Sequence, residues 1–98
     1  MIRHASLFRL QHAAGAPEER AFLQALAALS RLPGVRDHKI TREIHPDSPF
    51  DFEVSMYFED RAAYDAYMVD PDHLAFAKAY WIPGIAESLE HDTVPLEA

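Results

Sequence analysis

Two side chains flank a break in the stretch "YDAYMVDPDHLAF", residues 64–76: Tyr67 on one side and His73 on the other. A phenol can donate a hydrogen bond to a substrate carbonyl and stabilise an enolate. A neutral imidazole can take the proton next to that carbonyl. The pair therefore has the chemistry for proton abstraction leading to cyclisation or isomerisation. The competing reading is structural, with Tyr67 packed in the core beside Tyr64 and Met68 and His73 at the surface near a helix cap. A second pair lies far apart in sequence. His4 belongs to the first apolar run and Asp92 to the last. If the two strands are neighbours, Asp92 can accept from one ring nitrogen of His4 and fix its tautomer. A buried histidine satisfied by a local acceptor would look the same.

The elements that position these groups follow from periodicity. Residues 2–11 alternate as a strand, with Ile2, His4, Ser6, Phe8 and Leu10 on one face and Ala5 and Leu7 on the other. Residues 17–32 read as a helix: Pro17 suits its first position, Glu18 and Glu19 its positive end, and Phe22, Leu26 and Leu29 form one stripe with Leu23 beside it. Pro33-Gly34 stops it. Residues 35–44 form a polar edge strand, and residues 45–49 a turn. In residues 50–58, Phe50, Phe52, Val54, Met56 and Phe58 share one face. A helix then spans about 61–69. Asp70-Pro71 restarts it as cap and first residue, as far as about Tyr80. A short helical stretch follows Trp81-Ile82-Pro83, and a last strand lies near residues 89–94.

Strand, helix, strand, strand, helix, strand is a split βαβ repeat. It packs as one antiparallel sheet in the order 4-1-3-2 with both helices on one face, an α+β sandwich. In that order His4 and Asp92 lie at the same end of neighbouring strands. His4 and Ser6 point between sheet and helices, where a small apolar pocket with few polar groups would form. Phe8, Phe52, Val54, Met56, Phe76 and Trp81 are its expected walls. His73, third in the restarted helix, has its pKa lowered by the helix's positive end on this reading. The other face, with Ala5 and Leu7, needs cover, which a face-to-face homodimer would give.

Composition narrows the partners. Ninety-eight residues make one domain, spanning 1–98. A net charge of −7 argues against nucleic acid. No apolar run is long enough for a membrane helix, so no membrane partner is expected. There is no cysteine, hence no disulfide and no thiolate ligand, and a cytoplasmic location is the default expectation. No cofactor and no metal are expected. Asp70, Asp72 and His73 have no recognised ligand spacing, and capping explains both aspartates. Glu90 shares the parity of Asp92, yet the preferred reading turns it out to solvent. His12, His38 and His45 are expected to be solvated, and His91 to face a dimer interface.

Three stretches resemble the Dabb family, the stress-responsive dimeric α/β-barrel domains. "IRHASLFRL" is similar to that family's first strand with its early histidine. "FEDRAAYDAYMVDPDHLAF" is similar to its second helix, with the Tyr-x5-His spacing and the break at proline. "HDTVP" is similar to its closing strand. The resemblance spans nearly the whole chain. It implies a ferredoxin-like subunit and a homodimer whose two sheets close a barrel. Plant polyketide cyclases of the family close a linear chain by aldol condensation without a cofactor. Similarity to them implies acid–base roles for Tyr67 and His73, with His4 and Asp92 at matching positions. The chain departs from them in having Phe52 where they have a histidine and Glu90 where they have an aliphatic residue. What the resemblance implies is a cofactor-independent cyclase-like lyase or isomerase, or a non-catalytic stress-response dimer binding an apolar small molecule. Haem-degrading monooxygenases share the architecture, but their site resembles an Asn, Trp and His set, and this chain has no asparagine.

Overall fold

A computed structural model describes residues 1–97. The first strand, β1 (Ile2–Leu10), is followed by helix α1 (Pro17–Ala28) and a 3-10 turn at Leu29–Arg31. Strands β2 (Arg36–Arg42) and β3 (Phe52–Phe58) come next. Helices α2 (Arg61–Met68) and α3 (Pro71–Phe76) follow, and α3 runs into a π-helical turn at Ala77–Trp81. One further helical turn, Ile82–Gly84, leads into strand β4 (Ile85–Thr93). The four strands form one antiparallel sheet in the order β2-β3-β1-β4, the expected 4-1-3-2 read from the other edge.

The sheet's register explains the core. His4 sits opposite Met56 on one side and Asp92 on the other, Ser6 opposite Val54 and Glu90, and Phe8 opposite Phe52 and Ser88. All of these point to the helix side. Against them pack Phe22 and Leu26 of α1, Leu29 of the 3-10 turn, Tyr67 of α2 and Phe76 of α3. Phe8, Phe22, Met56 and Phe58 are the largest fully buried side chains. The stripe expected on α1 is therefore the face that closes the sheet.

Local chemistry sets the element ends. The Asp60 carboxylate accepts from the backbone N–H of Ala63 at 2.9 Å and so caps α2. Asp70 does the same for α3, accepting from the N–H of Asp72 at 2.8 Å, with Pro71 in the first turn. Gly34 adopts φ +83°, a left-handed conformation that glycine takes without strain, and turns the chain towards β2.

Several boundaries differ from those expected. Strand β4 begins at Ile85, four residues before Leu89. The backbone N–H of Gln11 donates to the Gly84 carbonyl, its side-chain amide donates to the Ile85 carbonyl, and pairing with β1 then extends to Leu10. Strand β2 starts one residue later than expected and ends two earlier. Its ladder with β3 is irregular between Arg36 and Lys39, where Asp37 takes φ 51°. Strand β3 starts at Phe52, not Phe50, whose N–H donates to the Ser48 hydroxyl at 3.1 Å within the turn. The restarted helix reaches Trp81 through the wider π turn, a feature periodicity does not signal.

Ala5 and Ser55 are buried on the face away from the helices. Arg3 and Glu53 form an ion pair at 3.1 Å on that face, and His91 Nε2 lies 3.8 Å from Glu53. The face is thus part polar, with Leu7 half-buried and Leu89 exposed.

Candidate functional site

The site starts from two adjacent strands. His4 and Asp92 are register partners on β1 and β4. His4 Nδ1 lies 2.5 Å from Asp92 Oδ1. The Tyr64 hydroxyl donates to the other oxygen, Oδ2, at 2.8 Å. Burial pushes the Asp92 carboxyl up, but the hydrogen bonds from His4 and Tyr64 outweigh it and hold the group below the ordinary aspartate value. With Asp92 ionised, Nδ1 of His4 carries a hydrogen and donates it, which fixes the orientation of the ring. Burial, and then the bond to Asp92, push the Tyr64 phenol up to about 12, so it stays a neutral donor.

A row of rings leads from this pair across the helix break. The ring of His4 lies 6.1 Å from that of Tyr67, and Tyr67 lies 4.4 Å from His73, centroid to centroid. The caps on α2 and α3 make this possible. Ending one helix and starting another turns the chain, so that residues 67 and 73 face each other across the joint. Tyr67 is buried, and its phenol is pushed up by burial and further by the charge of Asp70. It is therefore a hydrogen-bond donor and not a proton-transfer acid in the neutral range. His73 is half-buried, and its Nδ1 is fully enclosed without a hydrogen-bond partner among the described residues. Burial holds its pKa below the ordinary histidine value; the nearby His4 lowers it further, and the Met68 backbone and Asp70 oppose this without cancelling it. The direction matches the expectation, but the leading cause is desolvation and not the helix end.

Both rings open on one cavity of about 190 Å³. Its polar lining is His4, Ser6, Tyr67, His73, Ser88 and Glu90, and its apolar lining includes Val54, Met56, Phe76 and Trp81. Asp92 stands behind His4 and does not line the space. Phe8 and Phe52 correct the expected walls. Their rings meet at 5.4 Å, tilted by 30°, in the closed core, towards the far end of the β1–β3 ladder from His4. Trp81 fills the gap between them and the cavity, 5.4 Å from Phe8.

Glu90 is a second correction. Its side chain is half-exposed, yet it lines the cavity with its carboxylate 3.7 Å from His4 Nδ1. Burial pushes its carboxyl up; His4 opposes this and Asp92 adds to it. Strict alternation along β4 puts residue 90 on the face of residue 92, and that was the available signal. Tyr64 was legible in the same way, three residues before Tyr67 on one helix face. Leu26, Leu29, Met68 and Ala77 complete the lining. His12 and His38 are half-buried, not solvated, while His45 is exposed; none of the three lines the cavity. His91 lies on the helix-free face, as expected from its parity.

Asp92 carries a pH-dependent prediction. Its carboxyl is depressed in the folded chain, so it stabilises the fold above the ordinary aspartate value of 3.8, and that contribution is lost as pH falls through the lower folded value. Replacing Asp92 by Asn removes this dependence. Urea midpoints measured from neutral pH downward should therefore converge for wild type and Asp92→Asn below that window. A constant gap down to the lowest pH would contradict the assignment.

An antiparallel four-stranded sheet with its helices on one face and a ring-lined cavity beneath them defines a ferredoxin-like α+β subunit of the α/β-barrel class. The chain belongs to the Dabb family: the model of the stress responsive A/B barrel domain matches residues 2–95. A Dabb family protein with a ferredoxin-like fold from Mesorhizobium loti is 43% identical, with 97% of this chain and 96% of that one covered and a TM-score of 0.93. A dimeric ferredoxin-like protein from Thermobifida fusca is 23% identical over 96% and 90% of the two chains, with a TM-score of 0.79. The hydroxynitrile lyase of Passiflora edulis is 16% identical over 99% and 94%, with a TM-score of 0.86. At those lower identities the likeness is one of fold. No curated protein matches the chain by sequence. No helix among the described residues is long and apolar enough to cross a membrane.

Proposed function

We propose that the chain is a cofactor-independent acid–base enzyme acting next to a carbonyl, as a cyclase, lyase or isomerase on a small apolar molecule. One observation carries this reading: Tyr67 and His73, 4.4 Å apart, face the same cavity. His73 is the base. Held neutral by burial, it takes the proton from the carbon beside a carbonyl. The electron pair moves onto the carbonyl oxygen, and the Tyr67 hydroxyl donates a hydrogen bond to the enolate that forms. The enolate carbon then attacks a second carbonyl, which gives a ring, or is reprotonated elsewhere, which gives an isomer. His73 returns the proton in either case. His4, oriented by Asp92, lines the same space and positions the substrate. Ser6, Val54, Met56, Phe76 and Trp81 hold the apolar body.

The test is a metabolite screen on wild type, Tyr67→Phe and His73→Ala, with binding and turnover both read. Turnover by wild type that fails in both variants is the expected result. Equal binding with no turnover in all three would sink the enzyme reading and leave a non-catalytic ligand-binding or stress-response dimer.

The assembly expected for this subunit is a homodimer stacked through the helix-free face. The dimeric state of the Thermobifida fusca protein supports it, as do Leu7 and Leu89 on that face. Light scattering at micromolar concentration should give twice the chain mass. A monomer mass would contradict the stacking.

A further inference from the structure

We propose that the end of the cavity built by Glu90, with His4 and Asp92 beside it, is a subsite for an organic ammonium group. The pocket then takes a small ring compound carrying an amine. This inference rests on the cavity being a ligand site and names the class of ligand.

Charge is the starting point. Among the described residues no lysine or arginine lines the cavity, and the one lining carboxyl is Glu90. Asp92 stands two residues further along the same strand face. Both of its oxygens are engaged, one by His4 and one by Tyr64. Glu90 is held less firmly, by a hydrogen it can share with the neighbouring Asp92 carboxyl. Its carboxylate is 3.7 Å from His4 Nδ1, beyond a good hydrogen bond, and that nitrogen already serves Asp92. The nearby arginines are committed elsewhere. Arg3 pairs with Glu53 on the opposite face, and Arg61 pairs with Asp65. Two adjacent carboxyls with one histidine between them favour an added positive charge or a hydrogen-bond donor.

A divalent metal is the other source of positive charge, since donor atoms of His4, Glu90 and Asp92 lie within 4.8 Å of one another. A metal would have to displace the hydrogen from His4 Nδ1 and break the contacts Asp92 makes. An ammonium at Glu90 breaks neither. The half-exposed Glu90 side chain already lines the space an ammonium would occupy.

The rest of the cavity fits the body of such a ligand. Leu26, Leu29, Val54, Met56, Phe76 and Trp81 present apolar and aromatic surface. An apolar cavity of about 150 Å³ holds a benzene molecule. A space of about 190 Å³ therefore takes one ring and a short arm.

The test compares benzylamine, toluene and phenylacetate by calorimetry at about pH 8, well above the ordinary carboxyl range, because burial pushes Glu90 up. Fluorescence of Trp81, the one tryptophan of the chain, reports occupancy of the cavity. Wild type should bind benzylamine about tenfold more tightly than toluene, and phenylacetate more weakly than either. In Glu90→Gln the ratio of benzylamine to toluene affinity should fall to about one. Equal wild-type affinities for benzylamine and toluene overturn the subsite and leave the ligand cavity standing. A preference unchanged in Glu90→Gln does the same. If none of the three binds, the cavity reading itself fails. A parallel titration with Zn²⁺ alone separates the two cations. Stoichiometric binding that Glu90→Gln abolishes would assign the site to a metal and overturn the ammonium assignment.

Discussion

Replacing His73 with alanine is expected to slow turnover of a substrate returned by the screen by about 10²- to 10⁴-fold, the contribution of a positioned general base. The fold should survive. His73 is half-buried, and its enclosed Nδ1 has no partner among the described residues, so its removal takes away an unsatisfied polar group along with the ring. Tyr67→Phe separates the hydroxyl from the ring. It keeps the packing against His73 and Phe58 and should cost about 10²- to 10³-fold, the effect of removing one donor from an enolate oxygen. The pH profile gives a sign. The base form of His73 is the neutral ring, present above its pKa, and burial holds that pKa below the ordinary histidine value of 6.5. Wild-type rate should therefore rise from acid to a plateau, with its midpoint below that value. A midpoint above it, or a His73→Ala variant as fast as wild type, would remove His73 from the base role. A large loss in His73→Ala with an unchanged midpoint would assign the titration to another group.

Phe58→Ala should destabilise the fold by about 3–5 kcal/mol, as large-to-small changes at buried aromatics do. Against a total of about 5–15 kcal/mol for a domain, this leaves little margin. The reason is position. Phe58 is fully buried at the end of β3. Its ring meets Tyr67 at 5.1 Å, Tyr64 at 5.7 Å and His4 at 6.3 Å. One core side chain thus supports the donor, the residue that holds Asp92, and the histidine that Asp92 orients. Urea unfolding should show the loss of stability. Wherever the variant remains folded, ligand affinity should fall with it, because the rings lose their common support. Ile44→Ala at an exposed position is the control, expected within about 0.5 kcal/mol of wild type. A Phe58→Ala midpoint close to that of the control would show that the ring cluster does not carry the load assigned to it.

The sequence by itself determined the order of elements, the sheet topology, the core stripe of α1, the cap at Asp70, and the facing of His4 and Asp92. These depend on periodicity and on neighbours a few residues apart, or on strand order, which the split βαβ pattern restricts to few choices. The tertiary structure alone decided which apolar residues wall the cavity. Phe8 and Phe52 have the same parity as Val54 and Met56, so alternation cannot separate them. Only the placement of Trp81 by the π-helical turn closes the core above the first pair and leaves space above the second. The tertiary structure also decided the environment of Glu90. Parity gives the face of a side chain, but burial at a strand edge depends on what the helices cover, and here they stop short. Glu90 is left half in water and half over the cavity. The same limit applies to the joint at Asp70-Pro71. Its capping residues announce a restart of the helix, whereas the approach of Tyr67 and His73 to 4.4 Å follows from how the two helical pieces pack on the sheet.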